Sequence, residues 1–147
     1  MIQHIDVRAL LRDSPAGCYT DLVTRPTGRV VRERIERALV EPEAAGPVVC
    51  MDFTGVGCID YSCADEIVAK LAAGRAVVLV LRGLAAGHFQ AIEPVLAGHG
   101  LAVLLEQPDG SLDALGPAPA AAALRERLVT ERLAGRLPGG MFTLISA

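Results

Sequence analysis

Two short apolar runs, Val48-Val49-Cys50-Met51 and Ala76-Val77-Val78-Leu79-Val80-Leu81, constrain this chain more than any other feature. Each is bounded by turn residues and too short for a buried helix. Each therefore reads as a strand inside a sheet that is covered on at least one side. Between them, Ala64, Ile67, Val68 and Leu71 recur at helical spacing, and Gly74 supplies a stop. The first strand runs to Phe53 and gives way to a loop over residues 54–61, with a helix starting near Ser62.

The flanking segments extend this alternation. Ile2, Ile5 and Val7 predict a strand over the first half of residues 1–11, and Leu10-Leu11 either continue it or open a short helix. Asp13 to Gly17 is turn chemistry, and Cys18 to Val23 reads as a second strand in a hairpin with the first. Thr24 or Arg25 caps a helix with Pro26 in its first turn and Val31, Ile35, Ala38 and Leu39 on one face. Pro42 and Gly46-Pro47 bound the linker before the central strand. Further on come a helix over 85–98, kinked or delayed by Pro94, and a strand over 101–105. Pro108-Asp109-Gly110 then turns the chain into a hairpin strand over 111–115. A helix at about 120–134, with Leu124, Leu128 and Leu133 inward, and a last strand over Met141–Ile145 complete the chain. The fold class is α/β: a mixed, mainly parallel sheet with helices packed on it, plus a C-terminal helix-strand appendage. The core spans residues 1–105, and residues 106–147 form an extension (hairpin, helix, terminal strand) packed on it.

Bulk properties remove several function classes. A chain of 147 residues fits one domain whose core needs neither disulfides nor metals. Apolar residues make up 52% with a mean hydropathy of +0.41, yet no run approaches the roughly 18 residues of a membrane span. The charged N-terminus is unlike a signal peptide. Cys18, Cys50, Cys58 and Cys63 form no Cys-x-x-Cys pair, which points to a reduced, cytoplasmic setting. A net charge of −3, no Trp and few aromatics argue against nucleic acid as a partner.

Polar residues gather where the central strand meets the next helix: Asp52, Asp60, Ser62, Asp65 and Glu66. No nucleophile–base pair or metal set accompanies them, and Gly55-Val56-Gly57 is too short for a phosphate loop and lacks a following Lys. His4, His88 and His99 show no ligand spacing, so no catalytic residue, metal or cofactor is expected. Asp52 and Asp60 are expected to cap loop backbone rather than to form an acid–base pair. Ser62 reads as an N-cap with Asp65 at N3, a capping box with Asp in place of Glu. Cys63, at a helix N-terminus, is a minor candidate for a lowered thiol pKa and redox sensing. Arg25, Arg29, Arg32, Arg34 and Arg37 are interleaved with Glu33, Glu36 and Glu41, as on a solvated helix face.

The order Asp52-Phe53-Thr54-Gly55-Val56 and then Ile59-Asp60-Tyr61-Ser62 resembles the STAS domain of sulfate transporters and anti-sigma-factor antagonists. Cys63-Ala64-Asp65-Glu66 departs from its Gly-Leu-Gly and is more similar to the bacterial STAS-like domain of unknown function, as is Thr24-Arg25 with Gly28-Arg29. The motif covers about a sixth of the chain, and the order of elements extends the likeness over residues 1–105. The resemblance implies a non-catalytic regulatory module, a phosphorylation-controlled partner switch with Ser62 as phosphate acceptor. The partner would be a kinase or anti-sigma-type protein. Asp52, Thr54, Gly55, Asp60, Tyr61, Asp65 and Glu66 would form its docking loop. The alternative is a small α/β ligand-binding domain or enzyme with a pocket at the strand C-termini near Asp52 and Asp60. A third reading is a homo-oligomer built through the C-terminal extension, with Met141–Ile145 adding to a sheet edge.

Overall fold

The computed structural model describes residues 2–12, 20–39, 46–74, 77–137 and 140–144. The turn expected at Asp13–Gly17, together with Cys18, Glu41, Pro42, Ala76 and Ile145, lies outside them. Strand β1 (Ile2–Asp6) runs directly into α1 (Val7–Arg12), and Asp6 Oδ1 accepts the Ala9 N–H at 3.1 Å to cap the turn. Helix α2 spans Arg25–Ala38 and β2 spans Val48–Asp52. Helix α3 has three parts: Tyr61–Ala64, a π-helical turn Asp65–Ala69, and Lys70–Gly74. Next come β3 (Val78–Arg82), a 3-10 turn (Ala86–His88), α4 (Phe89–His99) and β4 (Val103–Glu106). The chain ends with β5 (Leu112–Leu115), α5 (Ala118–Thr130), β6 (Ala134–Arg136) and β7 (Phe142–Leu144).

These strands form one seven-stranded mixed sheet in the order β1-β2-β3-β4-β5-β7-β6. β1 to β4 are mutually parallel, and β5, β7 and β6 follow in antiparallel steps. The two apolar runs are neighbours, with Val49 opposite Leu79 and Met51 opposite Leu81. Side chains alternate along each strand and so feed two cores. Val49, Met51, Leu79, Leu81 and Val103 pack against α1 to α4 on one face. Val48, Cys50, Val78, Val80 and Leu104 face the other way, toward Leu128 of α5, Ala134 and Phe142. That is why the central runs are apolar throughout: helices cover both faces.

Several expectations change. The hairpin between the first strand and residues 18–23 is not formed among the described residues. Leu22 pairs in parallel with Ile59, because its backbone bonds Cys58 and Asp60 while β1 pairs with β2. Helix α4 begins at Phe89, after the 3-10 turn, and continues past Pro94 to His99. Gly100, at φ 63, closes it, with the Leu101 N–H returning to Leu96 O. α5 stops at Thr130, short of residue 134, because Ala134 already belongs to β6. That short strand carries no alternation signal in sequence. β7 is paired on both sides, by β5 and β6, so its backbone is already committed within its own sheet. The sheet also curls: Leu144 of β7 lines a cavity of about 200 Å³ together with Ile2 and Cys50.

Candidate functional site

The loop after β2 is fixed before it reaches α3. Asp52 Oδ1 accepts both the Thr54 N–H (2.9 Å) and the Thr54 hydroxyl (2.6 Å), the capping role expected of it. Burial pushes the Asp52 carboxyl up, but these bonds and Arg82 bring it below the usual range. Gly55 takes φ 82, and a Cβ there would lie 2.7 Å from Arg8 Cδ. Segment 20–24 then zips against 57–60. Gly57 N–H bonds Thr20 O, Leu22 N–H bonds Cys58 O, Asp60 N–H bonds Leu22 O, and Asp21 Oδ1 accepts the Cys58 N–H. Behind the loop, buried His88 accepts the Ala85 N–H on Nδ1 at 3.0 Å. Its Nε2 therefore carries the proton and donates to Gly57 O at 2.7 Å.

Asp60, not Ser62, is the N-cap of α3. Both residue types cap well, but Asp60 leaves the Ile59 bridge with extended backbone and its carboxylate reaches the Cys63 N–H at 2.8 Å. Ser62 lies inside the first turn, and its hydroxyl donates to Asp60 Oδ1 at 2.8 Å. The other carboxylate oxygen accepts the Thr24 N–H at 2.7 Å. Burial raises the Asp60 pKa, and the Cys63 N–H, the Thr24 N–H and the Ser62 hydroxyl bonded to it outweigh burial, so it stays below the ordinary range. Thr24 begins α2 at φ 70, a strained conformation for a β-branched residue, with no side-chain capping bond of its own. Asp60 and the Cys63 thiol, which donates to Thr24 O at 3.1 Å, hold it there.

Cys63 is fully buried, and its thiol is pushed up to about 12, first by burial and then by the charge of Asp60. The expectation of a lowered pKa and redox sensing at Cys63 is therefore corrected: the helix N-terminus is outweighed by a dry site beside a carboxylate.

Asp65 and Glu66 are both buried rather than displayed on a docking loop. Arg25 donates to Asp65 at 2.7 Å and to Glu66 at 3.0 Å, and His99 Nε2 meets Asp65 at 2.6 Å. Arg32 and Lys70 each reach Glu66 at 2.9 Å. Burial raises the Glu66 pKa, but the bonds from Lys70, Arg32 and Arg25 win and bring it down to about 2. Asp65 is likewise held low by Arg25 and His99 against burial. The capping box with Asp65 at N3 is not formed, since Asp65 is engaged with α2 and α4. The π turn, with the Lys70 N–H bonded to Asp65 O, inserts a residue at this point. Residues 63–69 are buried without a break, α3 lying on the sheet between α2 and α4 under a roof of ion pairs. Gly28 lets α2 approach: a Cβ there would sit 2.9 Å from Cys63 Cα and 3.3 Å from Glu66 Cβ. Arg25 and Arg32 thus clamp helices together, and Arg34 donates to Leu10 O at 2.9 Å. Sequence reading missed this network, because, Lys70 and Glu66 apart, its partners are separated by 34 to 41 residues.

What remains on the surface is narrow. Thr54 and Gly55 are exposed, Tyr61 is 49% exposed, and Ser62 is half-buried beside it. Among the described residues neither Asp52 nor Asp60 lines the cleft at the strand C-termini. The cleft at the strand C-termini, about 420 Å³, is lined by Thr54 and Arg82 on the Asp52 side, while Asp60 faces α2. Among the described residues no group of three or more His, Cys, Asp or Glu is placed to hold a metal ion. Nor is any helix among them long and apolar enough to cross a membrane. The chain matches no protein-family model, no curated protein and no solved structure.

Proposed function

We propose that this chain is a non-catalytic regulatory module. A protein partner docks on the Thr54–Ser62 loop, and phosphorylation of Ser62 controls the docking. The observation that carries the reading is Tyr61, a half-exposed aromatic beside Ser62 on a loop whose backbone is fixed on both sides. Aromatic anchors on pre-organised backbone give binding energy with little ordering cost. A phosphate on Ser62 adds roughly −1.5 to −2 charge next to that anchor and next to Asp60, enough to reverse an interface. Following the resemblance of residues 52–62 to STAS antagonists, the partner is an ATP-binding kinase or an anti-sigma-type protein of a bacterial cytoplasm. A homo-oligomer that extends the sheet through residues 106–147 would add to β6, the outer strand at that end.

The test is an affinity pull-down from extract of the source cells with wild type, Ser62→Ala and Ser62→Asp, and phosphosite mapping of the recovered chain. Wild type and Ser62→Ala retain one common partner, and Ser62→Asp loses it. Equal retention by Ser62→Asp, or phosphate found only elsewhere, removes the switch.

A further inference from the structure

Beyond the docking loop, the cleft at the carboxyl ends of β2, β3 and β4 carries its own inference. Helices α1 to α4 cover one face of the sheet and α5 the other, and β5 turns back beside β4. Open α/β sheets bind small molecules in crevices outside the carboxyl ends of their strands, which is where this cleft lies. At about 420 Å³ the cleft falls within the size range of small-molecule sites.

Its walls select the ligand. Leu84, Phe89 and Leu105 give one apolar side. Gln107 lines the same cleft, and its side-chain amide has no hydrogen-bond partner among the described residues, leaving an adjacent donor and acceptor in one plane. Arg82 is the lining cation, and its Nε is taken by Glu106 at 3.0 Å with Asp52 a further 1.0 Å away at 4.0 Å. An anionic ligand would therefore meet a guanidinium already neutralised, beside a carboxylate that repels it. The rim is rigid on the Thr54 side. Gly83, at φ 70, sits so close that a Cβ would lie 2.7 Å from Asp52 Oδ1.

We infer that this cleft binds a small, uncharged, flat ring bearing a carboxamide or lactam edge, which pairs with the Gln107 amide and lies on Leu84 and Phe89. The probes are benzamide, its anionic counterpart benzoate, and benzyl alcohol, titrated into the ¹⁵N-labelled full chain and followed by amide chemical shifts. Benzamide produces saturable shifts at Gly83, Leu84, Gln107 and Gly110, and binds at least about tenfold tighter than benzoate. Gln107→Leu weakens benzamide about five- to thirtyfold, the effect of two neutral hydrogen bonds, and leaves benzyl alcohol unchanged. Amide dispersion in the same spectra reports whether the variant is folded. The inference is overturned by absence of saturable shifts at the cleft, by benzoate binding as well as benzamide, or by a folded Gln107→Leu that keeps full benzamide affinity. None of these outcomes bears on the Ser62 pull-down.

Discussion

Replacing Glu66 with glutamine removes one buried negative charge while keeping the side chain's shape. Three cations are left facing a neutral amide: Arg25, Arg32 and Lys70. The Glu66 carboxyl sits at about 2 in the folded chain against the ordinary 4.5. At about 1.4 kcal/mol per tenfold difference, that gap corresponds to roughly 3 kcal/mol of folding stability. The cations retain side-chain exposures of 38% for Arg25, 19% for Arg32 and 45% for Lys70, and can rehydrate when unpaired. Screening therefore reduces the expected loss at neutral pH to roughly 2 kcal/mol. Because the folded pKa is depressed, this stabilisation is complete above the ordinary glutamate range. It is lost as pH falls from 4.5 toward about 2. Other carboxylates, Asp52, Asp60 and Asp65, are lowered too, so the informative quantity is wild type minus variant. Urea unfolding followed by circular dichroism, repeated from neutral pH down to pH of about 2, measures it. The two curves should be about 2 kcal/mol apart at neutral pH and converge in acid. A Glu66→Gln protein within about 0.5 kcal/mol of wild type at neutral pH would refute the clamp. So would a gap that survives unchanged in acid.

Gly28→Ala would ordinarily favour a helix by about 1 kcal/mol. Here the new methyl meets the Cys63 backbone, so α2 shifts and net stability falls by about 1–3 kcal/mol, read as a lower Tm; a higher Tm would show that the helices can part freely. In the native chain iodoacetamide should modify exposed Cys58 readily and reach buried Cys50 and Cys63 only on unfolding, which peptide mass spectrometry resolves. Rapid native labelling of Cys63 would contradict its raised pKa.

The layers of the fold were legible because they rest on local periodicity. The apolar runs of β2 and β3, the apolar stripe of α2 and the Pro108-Asp109-Gly110 turn each carry their signal within a few residues, and each appears where expected. The site was legible only in part. Asp52 capping the loop could be read from its position two residues before Thr54. The inward turn of Asp65 and Glu66 could not, because Arg25, Arg32 and His99, which meet them, lie on α2 and α4, far away in sequence. The choice of Asp60 over Ser62 as cap depended on Ile59 pairing with Leu22, another long-range event. β6 was invisible, since Ala134-Gly135-Arg136 has no strand pattern and pairs only because β7 lies beside it.

That inward turn changes the electrostatics of Ser62. Read in sequence, Asp60, Asp65 and Glu66 all crowd any phosphate placed on Ser62. In the structure each is already matched by cations, and the carboxylate bonded to the Ser62 hydroxyl is Asp60. A phosphate there must break the Ser62–Asp60 bond and then repel the group that caps α3 and holds Thr24 at φ 70. Repulsion at Ser62 is thus transmitted through Asp60 to the start of α2. Without Asp60 in place, a strained β-branched residue has reason to relax toward negative φ. Ser62→Asp should therefore raise amide hydrogen exchange at Thr24, whose N–H bonds Asp60, while Val49 and Leu79 in the sheet core stay protected. Unchanged exchange at Thr24 would mean that a charge at Ser62 acts only locally, at the docking surface itself.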